Sequence, residues 1–188
     1  MLRSTRQRFG SIAILFHWGI ALGVVVLYAL GLYLDELGYQ DPWFNRAMDL
    51  HKGLGMLLFA AILARWLWRR VDVQPVPLET YSAFEQWSAR MMKAVLYLLL
   101  VLVPLSGYLI SSAEGQPIDV FGWFHVPALI SGLPEQADVA GEVHGFLAHL
   151  LIALAVVHAL AAIKHHVFDH DDTLRRMTFR PLRSSSRE

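Results

Sequence analysis

The sequence predicts an all-α integral membrane protein, a four-helix bundle with both termini cytoplasmic. Hydrophobic residues make up 55% of the 188 residues and charged residues only 17%, where a soluble domain carries about 25% charge. Four stretches reach the length of about 20 mostly apolar residues that a helix needs to cross a bilayer. The basic residues are concentrated in alternate connections. The rest of the composition excludes function classes. Lys plus Arg is 16 and Asp plus Glu is 16, so the chain is no broadly basic nucleic-acid binder. It has no cysteine, which removes disulfide scaffolds, thiolate zinc sites, cysteine-ligated iron–sulfur clusters and covalent haem attachment.

The first span runs from about Gly10 to Leu34. It lacks Asp, Glu, Lys and Arg but contains His17. A signal peptide is the alternative there, but the apolar run is too long and shows no convincing cleavage site. The second runs from about Met48 to Trp68, clean from Gly53 to Ala64, with Arg65 near its far end. The third, about Ala94 to Ala113, contains Pro104, which is expected to kink it. The fourth, about Val143 to Ile163, holds His144, His149 and His158. Residues 78–92 are amphipathic, with Tyr81, Phe84 and Trp87; they read equally as an interfacial segment or a linker. The long connection from Glu114 to Gly141 carries Phe121, Trp123, Phe124 and His125. Residues 1–177 form the expected domain, and 178–188 an expected disordered tail.

Fourteen of the 16 basic residues fall on one side. They are Arg3, Arg6 and Arg8; Arg65, Arg69, Arg70, Arg90 and Lys93; and Lys164, Arg175, Arg176, Arg180, Arg183 and Arg187. Only Arg46 and Lys52 lie on the other, together with nine acids from Asp35 to Glu142. The positive-inside rule makes the Arg-rich side cytoplasmic.

Intramembrane histidines are costly and usually face the bundle interior. His144 and His158 are fourteen residues apart, about 21 Å along a helix and within about 40° of one face. His51 lies two residues beyond Asp49 and His144 two beyond Glu142, so their outer depths match. His17 lies seven residues in from Gly10 and His158 six in from Lys164, so their inner depths match. The expected pairs are His51 with His144 and His17 with His158. Each pair suits bis-histidine, non-covalent b-type haem in a bundle core, giving two haems per chain and an electron path between the membrane faces. Gly55, Ala21 and Ala162 lie one turn from ligands and leave room for the macrocycle.

Any one of these histidines read alone is more simply a packing residue or part of a proton relay. No tight cluster with zinc-like spacing appears, and no Glu-x-x-His pair for a di-iron bundle. His149 lies about 180° from His158 and reads as packing. His165 shares the face of His158 but falls at the interface, too shallow for His17. His125, in the outer loop, reads as an exposed loop residue or as part of a substrate site. Arg65, Arg69 and Lys164 are candidates for haem propionates, Arg65 foremost because it lies within an apolar stretch; their simpler role is to snorkel. Lys52 and Arg46 are candidates for serving the outer haem.

These residues resemble the prokaryotic cytochrome b561 family over roughly Arg6 to Met177. The resemblance rests on Phe16, His17 and Trp18; on His51, Lys52, Gly53, Leu54 and Gly55; and on His144 and His158 at their spacing. It continues in His165, His166, Val167 and Phe168, and in Asp172 through Met177. It implies two b-type haems, a bacterial inner-membrane location and electron transfer involving quinone, with superoxide as donor and ubiquinone as acceptor in at least one branch. The expected function is therefore a stand-alone oxidoreductase. The alternative is a haem-bearing membrane anchor for a hydrogenase or other dehydrogenase partner, and a third reading is a haem-free transporter or proton conductor.

Overall fold

The computed structural model describes residues 1–38, 40–78 and 81–182. The helices are α1 (Ser11–Glu36), α2 (Phe44–Val71), α3 (Ala83–Ser112) and α4 (Gln136–Val167). At 26, 28, 30 and 32 residues, with a rise of 1.5 Å per residue, all exceed the hydrocarbon thickness of about 30 Å. Their outward faces carry Leu15, Leu22, Val25, Leu98, Val156 and Leu160, all exposed. That is the pattern of a bundle whose solvent is lipid: every backbone group inside hydrocarbon must be satisfied within its own helix.

Each helix is longer than its apolar run, because backbone bonding continues where hydropathy stops. The difference is greatest in α3. Residues from Ala83 onward belong neither to an interfacial segment nor to a linker; they are the first three turns of the third span's own helix. Ser82 starts it: its Oγ accepts from Glu85 N at 3.2 Å while the Glu85 carboxylate accepts from Ser82 N at 2.9 Å, a reciprocal cap that satisfies two orphan donors. The helix runs on through Pro104. Residues 79 and 80 lie outside the described residues.

Packing is uneven around the bundle. α1 lies along α2 and α3 along α4, α2 touches α3, and α1 barely meets α4. The connection after α3 holds a two-stranded antiparallel hairpin that the sequence reading did not contain: β1 (Ile118–Val120) and β2 (Phe124–Val126), with Val120 opposite Phe124. It seats on the hairpin end of α2 through buried Ile118 and Val120.

At the opposite end both chain termini and the α2–α3 connection are knitted together. Buried Asp72 accepts from Ser4 N at 3.0 Å and from Ser4 Oγ at 2.5 Å, and Ser4 Oγ accepts from Gly10 N at 2.9 Å. Gly10 itself permits no side chain: a Cβ would lie 2.3 Å from the Arg3 carbonyl carbon. Val76 N donates to Arg6 O, and Arg176 Nη1 to Val76 O. Trp18 Nε1 donates to Met177 O at 2.7 Å, and Arg8 Nη2 to Thr178 O at 3.2 Å. The chain is thus tied as far as Thr178; of the tail expected to be disordered, residues 183–188, including Arg183 and Arg187, lie outside the described residues.

Removing the Asp72 carboxylate leaves the Ser4 donors without a buried acceptor, a loss of about 1–3 kcal/mol. Asp72→Ala should lower the melting temperature in detergent and speed amide exchange across residues 4–10. Exchange there equal to that of the unaltered chain would show the clasp to be dispensable.

Candidate haem site

Three helices deliver four imidazole rings to two places. The His51 and His144 ring centroids are 6.1 Å apart and cross at 76°; those of His17 and His158 are 6.4 Å apart and cross at 85°. α4 contributes to both pairs because its two histidines share a face at different depths. α1 and α2 supply one partner each.

A cavity of about 370 Å³ surrounds the pair at the hairpin end. His51, Lys52, Gly55, Asp35, Gly107 and His144 are among the residues that line it. His144 is oriented by α3. A carbonyl only accepts, so the 2.9 Å contact between His144 Nδ1 and Val103 O places the proton on Nδ1. Ser106 Oγ, 3.2 Å away, flanks the same nitrogen. Nε2 is left with its lone pair. Such an outer hydrogen bond is the usual device that fixes a ligating imidazole. His51 Nδ1 is buried without a protein partner.

Two glycines on neighbouring helices make room for these rings. A Cβ on Gly107 would stand 3.0 Å from His144 Cε1, and one on Gly31 would stand 3.4 Å from His51 Cε1. The sequence reading missed both, since it looked for small residues along each ligand's own helix. Of those it named, Gly55 lines the cavity. Ala21 and Ala162 line neither this cavity nor the wholly apolar one of about 360 Å³ beside Phe16, Gly19 and Ile20.

At the tail end Arg65 stands beside His17, Nη1 3.3 Å from Nδ1, and its Nε donates to Tyr97 Oη at 3.1 Å. Arg69 lies over the same tyrosine ring, 5.1 Å from its centroid. Lys164 makes ion pairs instead: its Nζ is 2.6 Å from Asp169 Oδ2 and 3.7 Å from Glu85 Oε1. Hydrogen bonding from this ammonium holds the Asp169 carboxyl below its usual pKa. Glu85, His165 and Asp169 bring ligand-type atoms within 4.8 Å of one another, but the Lys164 ammonium already supplies positive charge there.

The remaining histidines separate from the pairs. His165 Nδ1 is 2.6 Å from Asp169 Oδ2 and its ring lies 4.8 Å from that of Tyr81, which in turn bonds Thr173. His166 Nδ1 is 3.3 Å from Asp171 O. His125, on β2, is exposed and 3.2 Å from Asp119. His149 meets Tyr28. Lys52 lines the cavity, whereas Arg46 lies over Trp43, 5.3 Å from its ring centroid.

The prokaryotic cytochrome b561 sequence profile matches residues 8–180. The chain belongs to that family. It is 46% identical over 174 residues to cytochrome b561 homolog 2 of Escherichia coli strain K12, with 93% of each chain covered. Cytochrome b561 homolog 1 of the same organism is 24% identical, over 91% of this chain and 97% of the relative. The probable superoxide oxidase CybB of Yersinia pestis is 25% identical, over 91% and 96%. The protein is thus a multi-pass bacterial membrane cytochrome, an electron-transfer oxidoreductase of a family that carries b-type haem.

The residues present fit that group. Two imidazoles on one metal, at bond lengths of about 2 Å, place their ring centroids about 6 Å apart, which is the spacing of both pairs. The pair at the hairpin end adds a cavity, an oriented Nε2 on His144 and glycine clearance for both rings.

Phe121, in the turn of the hairpin, seats it on α2. Its ring packs on Gly53, where an added Cβ would lie 2.7 Å from Cζ, and its φ is +55°, a backbone state uncommon for a bulky residue. Gly53→Ala should displace the ring at a cost of about 1–3 kcal/mol and speed amide exchange in residues 118–126. Unchanged exchange would show that the ring yields freely.

Proposed function

We propose that this chain holds two b-type haems, non-covalently, each between two histidines, and carries electrons from a small donor at the outer face to quinone. The ring spacing in the two pairs is the observation that carries this reading. His51 and His144 would hold the outer haem, His17 and His158 the inner one. A haem held between two imidazoles would supply one-electron transfer. The haem-bearing domain is residues 1–177, with 178–188 as its appended tail.

The chain's own residues then have defined tasks. The Val103 carbonyl keeps the His144 imidazole in one tautomer and orientation. Arg65, held by Tyr97 beside His17, suits an anionic propionate, as a guanidinium suits carboxylates generally. Lys52, on the cavity wall next to His51, attracts an anion locally. Nine acids at the hairpin end oppose long-range steering of one. By the positive-inside rule the knitted tail end is cytoplasmic and the hairpin end periplasmic, with the bundle in the inner membrane.

Superoxide is the proposed donor, because a relative across almost the whole chain is named a probable superoxide oxidase; ubiquinone is the acceptor that the family resemblance implies. The balance is two superoxide anions plus one quinone plus two protons, giving two dioxygen molecules and one quinol. Each superoxide loses one electron, and the quinone gains both.

Haem quantitation should find about two haems per chain. His17→Ala or His158→Ala should remove only the inner one, and His51→Ala or His144→Ala only the outer. One haem in the unaltered protein, or loss caused by His165→Ala and not by His158→Ala, would contradict the assignment.

Superoxide should reduce the oxidised protein and ubiquinone should reoxidise it. Lys52→Glu should slow the first step at low salt, with the difference shrinking as salt screens the charge. A haem that ignores superoxide but is reduced by a dehydrogenase co-purifying in mild detergent would instead identify a membrane anchor subunit.

A further inference from the structure

Where α1 barely meets α4, the outer cavity reaches two polar side chains that neither histidine pair uses. Tyr28 on α1 and His149 on α4 both line it, and their rings meet edge-on with centroids 5.5 Å apart. Tyr28 is half-buried and His149 is exposed on the bundle surface. In a bilayer that surface faces acyl chains, where an ionisable side chain is costly and marks function more often than packing.

The hydrogen bonding leaves this pair ready for a ligand. His149 Nδ1 lies 2.6 Å from Gly145 O; a carbonyl only accepts, so the proton is on Nδ1 and Nε2 keeps its lone pair. The Tyr28 hydroxyl can donate or accept. Together they match a ring that presents carbonyl oxygens in one redox state and hydroxyl groups in the other.

Depth places the pair beside the outer histidines. Gly31, which faces His51, is three residues from Tyr28, about 4.5 Å along the helix. His149 is five residues inward of His144, about 7.5 Å. Both side chains therefore lie on the inner side of the His51–His144 level and short of the His17–His158 level, open sideways to lipid.

We infer that Tyr28 and His149 form a lateral headgroup site for a lipid-soluble benzoquinone, next to the outer histidine pair. The inference rests on the quinone reading above and adds the place. The Tyr28 hydroxyl donates to a quinone carbonyl, and His149 Nε2 accepts from a quinol hydroxyl. The ring enters from the bilayer between α1 and α4 without crossing either aqueous face.

The test uses the haem-loaded protein in detergent and a photoactivatable azido-benzoquinone with a short alkyl tail. Label should appear on the peptides containing Tyr28 and His149 and be displaced by unlabelled decylubiquinone. His149→Leu and Tyr28→Phe should each lower labelling about fivefold, the loss of one hydrogen bond, with haem content unchanged. Label at the tail end of the bundle, or undiminished label in both variants, overturns the site. So does loss of haem from His149→Leu with label retained in Tyr28→Phe, which would make the pair a seal for the haem pocket. If the unaltered protein takes electrons from superoxide but neither binds the probe nor is reoxidised by ubiquinone, the quinone reading itself fails. Reoxidation that persists in both variants, with label elsewhere, overturns only the site.

Discussion

An imidazole has two ring nitrogens, and inside a bilayer neither can turn to water. One nitrogen can bond a carbonyl or hydroxyl of a neighbouring helix; the other needs a partner of its own. At the hairpin end His144 meets the first demand with Val103, and the ring opposite it belongs to His51. Much of the bundle follows from this. α4 must present two histidines on one face, α1 and α2 must each bring one to the matching depth, and α3 must supply an acceptor for His144 and a glycine that clears it. The close packing of α1 on α2 and α3 on α4, with little contact between α1 and α4, leaves the space between the two halves in which flat cofactors fit.

The two ends of the bundle are built differently. At the tail end, the terminal segments and the α2–α3 connection are joined by backbone and side-chain bonds around buried Asp72. This closes that end with the chain's own polar groups. At the hairpin end the Phe121 ring packs on Gly53 of α2, and the wall of the cavity there carries Asp35 and Lys52.

The spans and the depth matching of the histidines were legible in the sequence because both depend on local quantities: hydropathy over about 20 residues and a fixed rise per residue. The His51–His144 and His17–His158 juxtapositions follow from counting along single helices, and His165 was set aside on the same count. Gly31, Gly107, Tyr97 and Val103 were not legible, because each acts on a residue of another helix, and helix rotation is fixed only by packing. The start of α3 at Ala83 was written in the Ser82 and Glu85 pair, a capping signal that the apolar run overshadowed. The hairpin strands are three residues each, too short for an alternating pattern to stand out. Phe121 takes a left-handed backbone state that its residue type disfavours. The ion pair of Lys164 with Asp169, five residues on, was not read from the sequence either.

The central claim is that both irons are held by two imidazoles, one from α4 and one from α1 or α2. The most direct measurement is low-temperature electron paramagnetic resonance of the oxidised protein, read beside near-infrared magnetic circular dichroism. The account predicts low-spin ferric signals characteristic of bis-imidazole ligation from both irons, with one of the two lost in His51→Ala and the other in His17→Ala. A high-spin or mixed-ligand iron in the unaltered protein, or one signal that both substitutions abolish, would contradict it.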